Sequence, residues 1–279
     1  MKRYIVTFFL FMLSLISLNS NAQKISEDQI SQFQQQFDSL SPEQKKMVFD
    51  VVEIYLFNGI DSLINEGMYM QALENIDSTQ VKYETVFGRK LPPYLYVIKA
   101  NILSNFEDWE KMLSTTVECI KYHKDSMSDR EAAMVYKLQG EAFYNMKVYL
   151  SAIQSYESSM SKFNVLGEKD SQGDILIRMA TCYEEIGKST LALTLYEKGV
   201  DRFLDYLGTT RANLIQKNFF VTDSRKKIVR DLLAVNLYHI AVFYQEIGDK
   251  TTSKEYLIMS KNCGCRLANS EYERIYDRW

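Results

Sequence analysis

Residues 47–262 carry apolar positions at helical spacing, in sets that recur every 40 residues. Small or apolar residues stand at Ile60, Ala100, Gly140 and Ala180, and larger ones three later at Leu63, Leu103, Phe143 and Tyr183. A second series runs Ala72, Met112, Ala152 and Ala192, followed four later by Ile76, Thr116, Tyr156 and Tyr196. Offsets of three and four place side chains on one face of a helix. Between the series lie Gly67, Glu107, Lys147 and Gly187, the expected turns. Each unit therefore reads as two helices joined tightly, with a small residue allowing close approach and an aromatic or aliphatic side chain filling the space beside it. No such hairpin can bury its apolar faces alone, so neighbours must stack.

A fifth copy follows 61 residues after the fourth, with Leu237, Ala241, Tyr244, Gly248, Ser253 and Leu257. The extra length near 208–230 predicts a longer second helix, a break at Gly208 or at Val221-Thr222-Asp223, and a longer following helix. Ser41-Pro42-Glu43-Gln44 and Ser128-Asp129-Arg130-Glu131 read as helix starts with capping boxes. Leu91-Pro92-Pro93 and Asp170-Ser171 precede the first helices of the second and fourth units. A leading helix from Ser26 through Phe37, within 23–46, and a final helix Ser270–Trp279, within 263–279, should cover the two ends.

The segments Tyr136-x-x-Gln139-Gly140-x-x-Phe143 with Ala152-x-x-x-Tyr156 resemble tetratricopeptide repeats. So do Leu176-x-x-Met179-Ala180-x-x-Tyr183-x-x-x-Gly187 with Ala192-x-x-x-Tyr196, and Leu237-x-x-Ile240-Ala241-x-x-Tyr244-x-x-x-Gly248. The sequence departs from that pattern at Glu107, Met112 and Ser253, and its spacing of 40 exceeds the common 34. The resemblance implies an all-α, right-handed superhelix of antiparallel hairpins, an α-solenoid, with a concave groove that binds a protein or peptide.

In such folds the first helix of each unit lines the groove. Counted from the small residue, the implied groove positions are Asp61, Ile64 and Asn65; Asn101, Ser104 and Asn105; Glu141, Tyr144 and Asn145; Thr181, Glu184 and Glu185. Lys137 and Ile177 should also face in. Asn65, Asn105 and Asn145 share a register. Side-chain amides both donate and accept, so they could form a ladder against a peptide backbone. Alternatively they end helices, because Asn tolerates the left-handed cap conformation.

The N-terminus changes the picture of where the chain works. Lys2 and Arg3 precede an apolar run from Tyr4 to Leu18, and Ser20-Asn21-Ala22 places small residues before Gln23. This is the pattern of a secretory signal peptide, 1–22, cleaved between Ala22 and Gln23. The run is shorter than the ~20 residues of a spanning helix. A periplasmic or secreted mature protein is expected. Net charge is −3, and removing Lys2 and Arg3 takes it to −5.

Composition fits a folded, strand-poor protein: 46% hydrophobic, 25% charged, with only 3 Pro and 11 Gly. The single basic run, Arg225-Lys226-Lys227 with Arg230, reads as a solvated helix turn. It does not make the footprint that nucleic acid requires. No phosphate loop, nucleophile elbow or zinc-protease motif is present, so no catalytic residue, metal or cofactor is assigned. His123 and His239 lie in different units and read as an exposed helix end and an inter-helix packing residue. Cys119 and Cys182 fall beside buried motif positions, whereas Cys263-Gly264-Cys265 is open to two readings, free thiols or a structural link. The function expected is a scaffold or adaptor. The alternative is an envelope-assembly or sensory input component recruited to a membrane complex.

Overall fold

The computed structural model describes residues 27–276, so the expected signal peptide, 1–22, and the last three residues lie outside it. Those residues form thirteen helices and no strand. They fall into two compact units, 27–123 and 124–276.

The first unit contains α1 (Glu27–Asp38) and two hairpins, α2 (Pro42–Asn65) with α3 (Tyr69–Phe87), and α4 (Pro93–Asn105) with α5 (Trp109–His123). Helix α2 starts where the sequence places it. The Gln44 amide donates to Ser41 Oγ at 3.3 Å, and the Ser41 amide donates to Gln44 Oε1 at 2.9 Å. Phe37 of α1 meets Phe49 of α2 edge-on at 5.3 Å, and Gln34 donates to the Thr85 carbonyl at 2.9 Å, so α1 covers the first hairpin. Ile60, Ala72 and Ile76 are wholly buried between α2 and α3.

The second unit contains three hairpins: α6 (Asp129–Asn145) with α7 (Tyr149–Leu166), α8 (Lys169–Glu185) with α9 (Ser189–Leu207), and α11 (Ser224–Glu246) with α12 (Lys250–Asn262). A short α10 (Arg211–Gln216) interrupts the last two, and α13 (Arg266–Tyr276) closes the unit.

All five hairpins turn in the same way. Gly67, Glu107, Lys147, Gly187 and Gly248 adopt left-handed backbone, with φ of 75°, 57°, 61°, 75° and 86°. The amide after each donates back to the carbonyl of Leu63, Leu103, Phe143, Tyr183 or Tyr244 at 2.8–3.1 Å. That six-to-one bond ends the helix and satisfies a carbonyl it would otherwise orphan. Two of the five positions accept this conformation without glycine, at a steric cost of roughly 1–2 kcal/mol each.

Close approach recurs at two levels of the second unit. Near the turns, a Cβ on Gly140 would sit 2.5 Å from the Tyr156 ring. Further from them, Ala133 pairs with Ser159, Gly173 with Gly199, and Ala234 with Ser260. Ser159 and Ser260 donate to the carbonyls of Ala133 and Ala234 at 2.8 and 2.5 Å. In the middle hairpin a Cβ on either glycine would lie 3.1 Å from the other's carbonyl oxygen. Ser253, where the repeat pattern has alanine, donates to the Ala241 carbonyl at 2.8 Å.

The extra segment differs from the sequence expectation. Helix α9 is not lengthened: Gly208 (φ 70°) ends it at Leu207. Thr210 then caps α10, and Asp223 caps α11, so both expected breaks are used. Helix α11 is the long one, at 23 residues against 17 for α6 and α8. The segment is tied down at both ends. Arg211 donates to Asp201 and to the Tyr256 hydroxyl at 2.8 Å, and Asn262 donates to the Leu214 carbonyl at 2.6 Å. Helix α8 starts at Lys169, leaving Asp170 inside its first turn, where the helix dipole favours a carboxylate. The final helix starts at Arg266 rather than Ser270, because Gly264 (φ 98°) completes the turn early.

Candidate binding cleft

The first helices of the second unit's hairpins, α6, α8 and α11, share one side. Lys137 of α6 meets Asp174 of α8 at 2.6 Å. Arg178, one turn beyond Asp174, bonds that carboxylate at 3.1 Å and Glu141 of α6 at 2.8 Å. At the other end Arg225 of α11 reaches Asp170 of α8 at 2.8 Å. These pairs border an open cavity of about 270 Å³. Phe163 and Phe203 contribute from the second helices, and Met134, Ile228, Val229 and Leu232 line it from the first.

The charges are held in place by each other. Burial pushes the Asp174 carboxyl up, but Arg178 and Lys137 outweigh it, so the group stays below its ordinary value. Burial disfavours the charge on Arg178, and Asp174 and Glu141 overcome that as well. Tyr156 lies behind, its hydroxyl pushed well up by burial, and Cys182 is pushed to about 12 for the same reason. Cys182 is thus an inert thiol. Cys119, Cys182, Cys263 and Cys265 are all buried, and none is in a disulfide.

Of the residues expected to face a groove, Lys137 and Glu141 come together here. Their partners Asp174 and Arg178 were not among the expected groove positions, nor was Arg225, whose partner is Asp170. An Asp and an Arg four apart on α8 were a usable signal. Arg225 is not a merely solvated residue of a basic turn, since it is spent on Asp170. Ile177 does not line a surface. It is buried, with its side chain against Gly199, because that glycine leaves a notch between α8 and α9.

Tyr144 is half-buried against Tyr149 at 5.7 Å, near the turn end of the unit. Burial, then Glu185, raises its hydroxyl. Tyr149 donates to Glu185 at 3.1 Å, and Tyr196 donates to Glu184 at 2.7 Å. This polar cluster is separate from the Lys137–Asp174 pairs.

Asn65 and Asn105 belong to the first unit and Asn145 to the second. Each is the last residue of its helix and exposed. Asn65 donates to Asp61 at 3.1 Å and Asn145 to the Glu141 carbonyl at 2.9 Å, both within their own helices. Asn101 likewise donates to the Val97 carbonyl at 2.9 Å. The left-handed backbone belongs to the residues two further on, so these asparagines are not there to supply it.

One histidine packs between helices and the other is exposed, and the packed one, His123, is the last residue of α5. His123 packs near Tyr96 at 5.8 Å across the α4/α5 hairpin, whereas His239 is exposed beside Tyr238. Among the described residues no group of three or more His, Cys, Asp or Glu is placed to hold a metal ion. No described helix is long and apolar enough to cross a membrane.

No family model matches the chain, and no curated protein matches it in sequence. Solved structures do match in fold. BtubC (BKLC) from P. vanneervenii superposes with TM-score 0.60 at 14% identity, covering 87% of this chain and 90% of its own. The apo form of the quorum sensor NprR from B. thuringiensis gives 0.55 at 14%, covering 99% of this chain and 72% of its own. MamA (41-end) from Desulfovibrio magneticus RS-1 gives 0.52 at 13%, covering 80% and 96%. These are tetratricopeptide-like helical folds, and the chain has the same fold, an all-α tetratricopeptide-like α-solenoid.

Proposed function

We propose that this chain is an exported scaffold or adaptor that binds a protein or peptide in the cleft of α6, α8 and α11 and carries out no turnover. One observation carries the reading. Beside a closed set of ion pairs, α11 holds Ile228 and Leu232 out to solvent, 63% and 43% exposed, at the mouth of a cavity. Large apolar side chains left together at a concave surface mark contact sites for a partner. The tetratricopeptide-like fold supports a binding role, and the basic, apolar and small-residue order of 1–22 supports export.

The test is co-purification from native envelopes with the tagged full chain and with an Ile228→Asp, Leu232→Asp double variant. The reading expects a defined partner with the wild type, lost with the variant while helical content is unchanged. A partner retained equally by both would remove the cleft from the account.

A further inference from the structure

The chemistry of the cleft narrows what it takes. We propose that it accepts one large aliphatic or aromatic side chain from an uncharged stretch of a partner protein, selecting by shape rather than by charge. This rests on the binding reading and goes further, since that reading leaves the partner's chemistry open.

Volume comes first. Sites for drug-sized ligands run from about 300 to 1,000 Å³. At about 270 Å³ this cavity falls below that range and suits a single anchoring side chain. Such anchors carry most of the energy in many interfaces.

Charge comes next. Lys137, Asp170, Asp174, Arg178 and Arg225 line the cavity, and each is already in an ion pair. Glu141 beside them is paired as well. Three cations face three anions. A charged ligand group would have to displace an existing partner and be desolvated without a free counter-charge, which is unfavourable. The Ser171 hydroxyl is also engaged, donating to Glu168 at 3.1 Å.

Shape comes last. Ile228, Leu232 and Val235 lie four and three residues apart on α11, all more than 40% exposed, and so extend one apolar strip away from the cavity. Phe163 and Phe203, both buried, form the floor of the cavity. A side chain seated against Met134, Ile228 and Leu232 replaces water with carbon at the cavity mouth. The rest of the segment would lie along the strip.

The experiment uses the mature chain with methyl-labelled Ile, Leu and Val. Capped pentapeptides Gly-Gly-X-Gly-Gly, with X as Leu, Phe, Asp or Lys, are titrated by NMR at about 50 and about 500 mM salt, which spans strong changes in screening. The Leu and Phe peptides should shift the Ile228 and Leu232 methyls with millimolar affinity, changing less than about twofold with salt. Leu232→Asp should weaken them at least about fivefold. Preferential binding of the Asp or Lys peptide, or affinity that collapses with salt, overturns shape selection and leaves the binding reading standing. Silence from all four peptides also overturns it. Only if co-purification is blank as well does the binding reading fall with it.

Discussion

At Gly140 the Tyr156 ring occupies the space a Cβ would need, and at Gly173 both the Phe203 ring and the Gly199 carbonyl do so. Gly140→Ala and Gly173→Ala should each cost about 1–3 kcal/mol, read as a lower urea midpoint at unchanged slope. Gly173→Ala should be the worse of the two, because one obstacle is backbone and cannot rotate away. The turns make the opposite prediction. Lys147 is held at φ 61°, so Lys147→Gly relieves left-handed strain and should stabilise by up to about 1 kcal/mol after glycine's entropy is counted. Asp174 gives a pH-dependent one. Its folded value lies below the ordinary one near 3.9, so its contribution is present above about pH 4 and is lost as pH falls through the folded value. Asp174→Asn should therefore cost roughly 1–3 kcal/mol at pH 7, less than a fully buried pair because water reaches the cleft. The gap to wild type should shrink in unfolding curves taken below pH 4.

Helices and hairpins were the most legible level. Spacing of three and four, the small residues and the two capping boxes gave the hairpins, because those signals are local and each has a steric cause. The α9–α11 connection was half legible. Gly208 and Asp223 announced the breaks, yet a separate α10 depended on Arg211 and Asn262 finding partners 45 and 48 residues away. No local pattern carries such pairings. The second level of close approach escaped for the same reason. Ala133 with Ser159 and Gly173 with Gly199 are ordinary residues until the opposite helix is in place. Ile177 shows the limit of transferring a register: the position held by the half-buried, ion-paired Lys137 in one hairpin becomes packing in the next, once Gly199 opens a notch. At this scale Arg211→Ala should speed amide hydrogen exchange in α10 without changing α9, since α10 loses its tie to Asp201 and Tyr256.

For the molecule as a whole, the sequence told the kind of fold but only part of the cleft, and for the compartment it gives an expectation. Lys137 and Glu141, expected from register to face a groove, take part in its ion pairs. Asp174, Arg178 and Arg225 complete the charge pairing only when α6, α8 and α11 lie side by side, and the exposed Ile228 and Leu232 become meaningful only with a cavity beside them. Export is tested on the same scale: protein recovered from its native envelope should begin at Gln23, and a chain that keeps Lys2 and Arg3 would argue against cleavage. The most direct test of the central claim is photo-crosslinking in living cells from a single probe placed at Leu232 on the cleft or at Val165 on α7, a second helix, where the side chain is 71% exposed. Binding through the first helices predicts a discrete adduct from position 232 and none from 165. Adducts of equal strength from both positions, or from 165 alone, would contradict it.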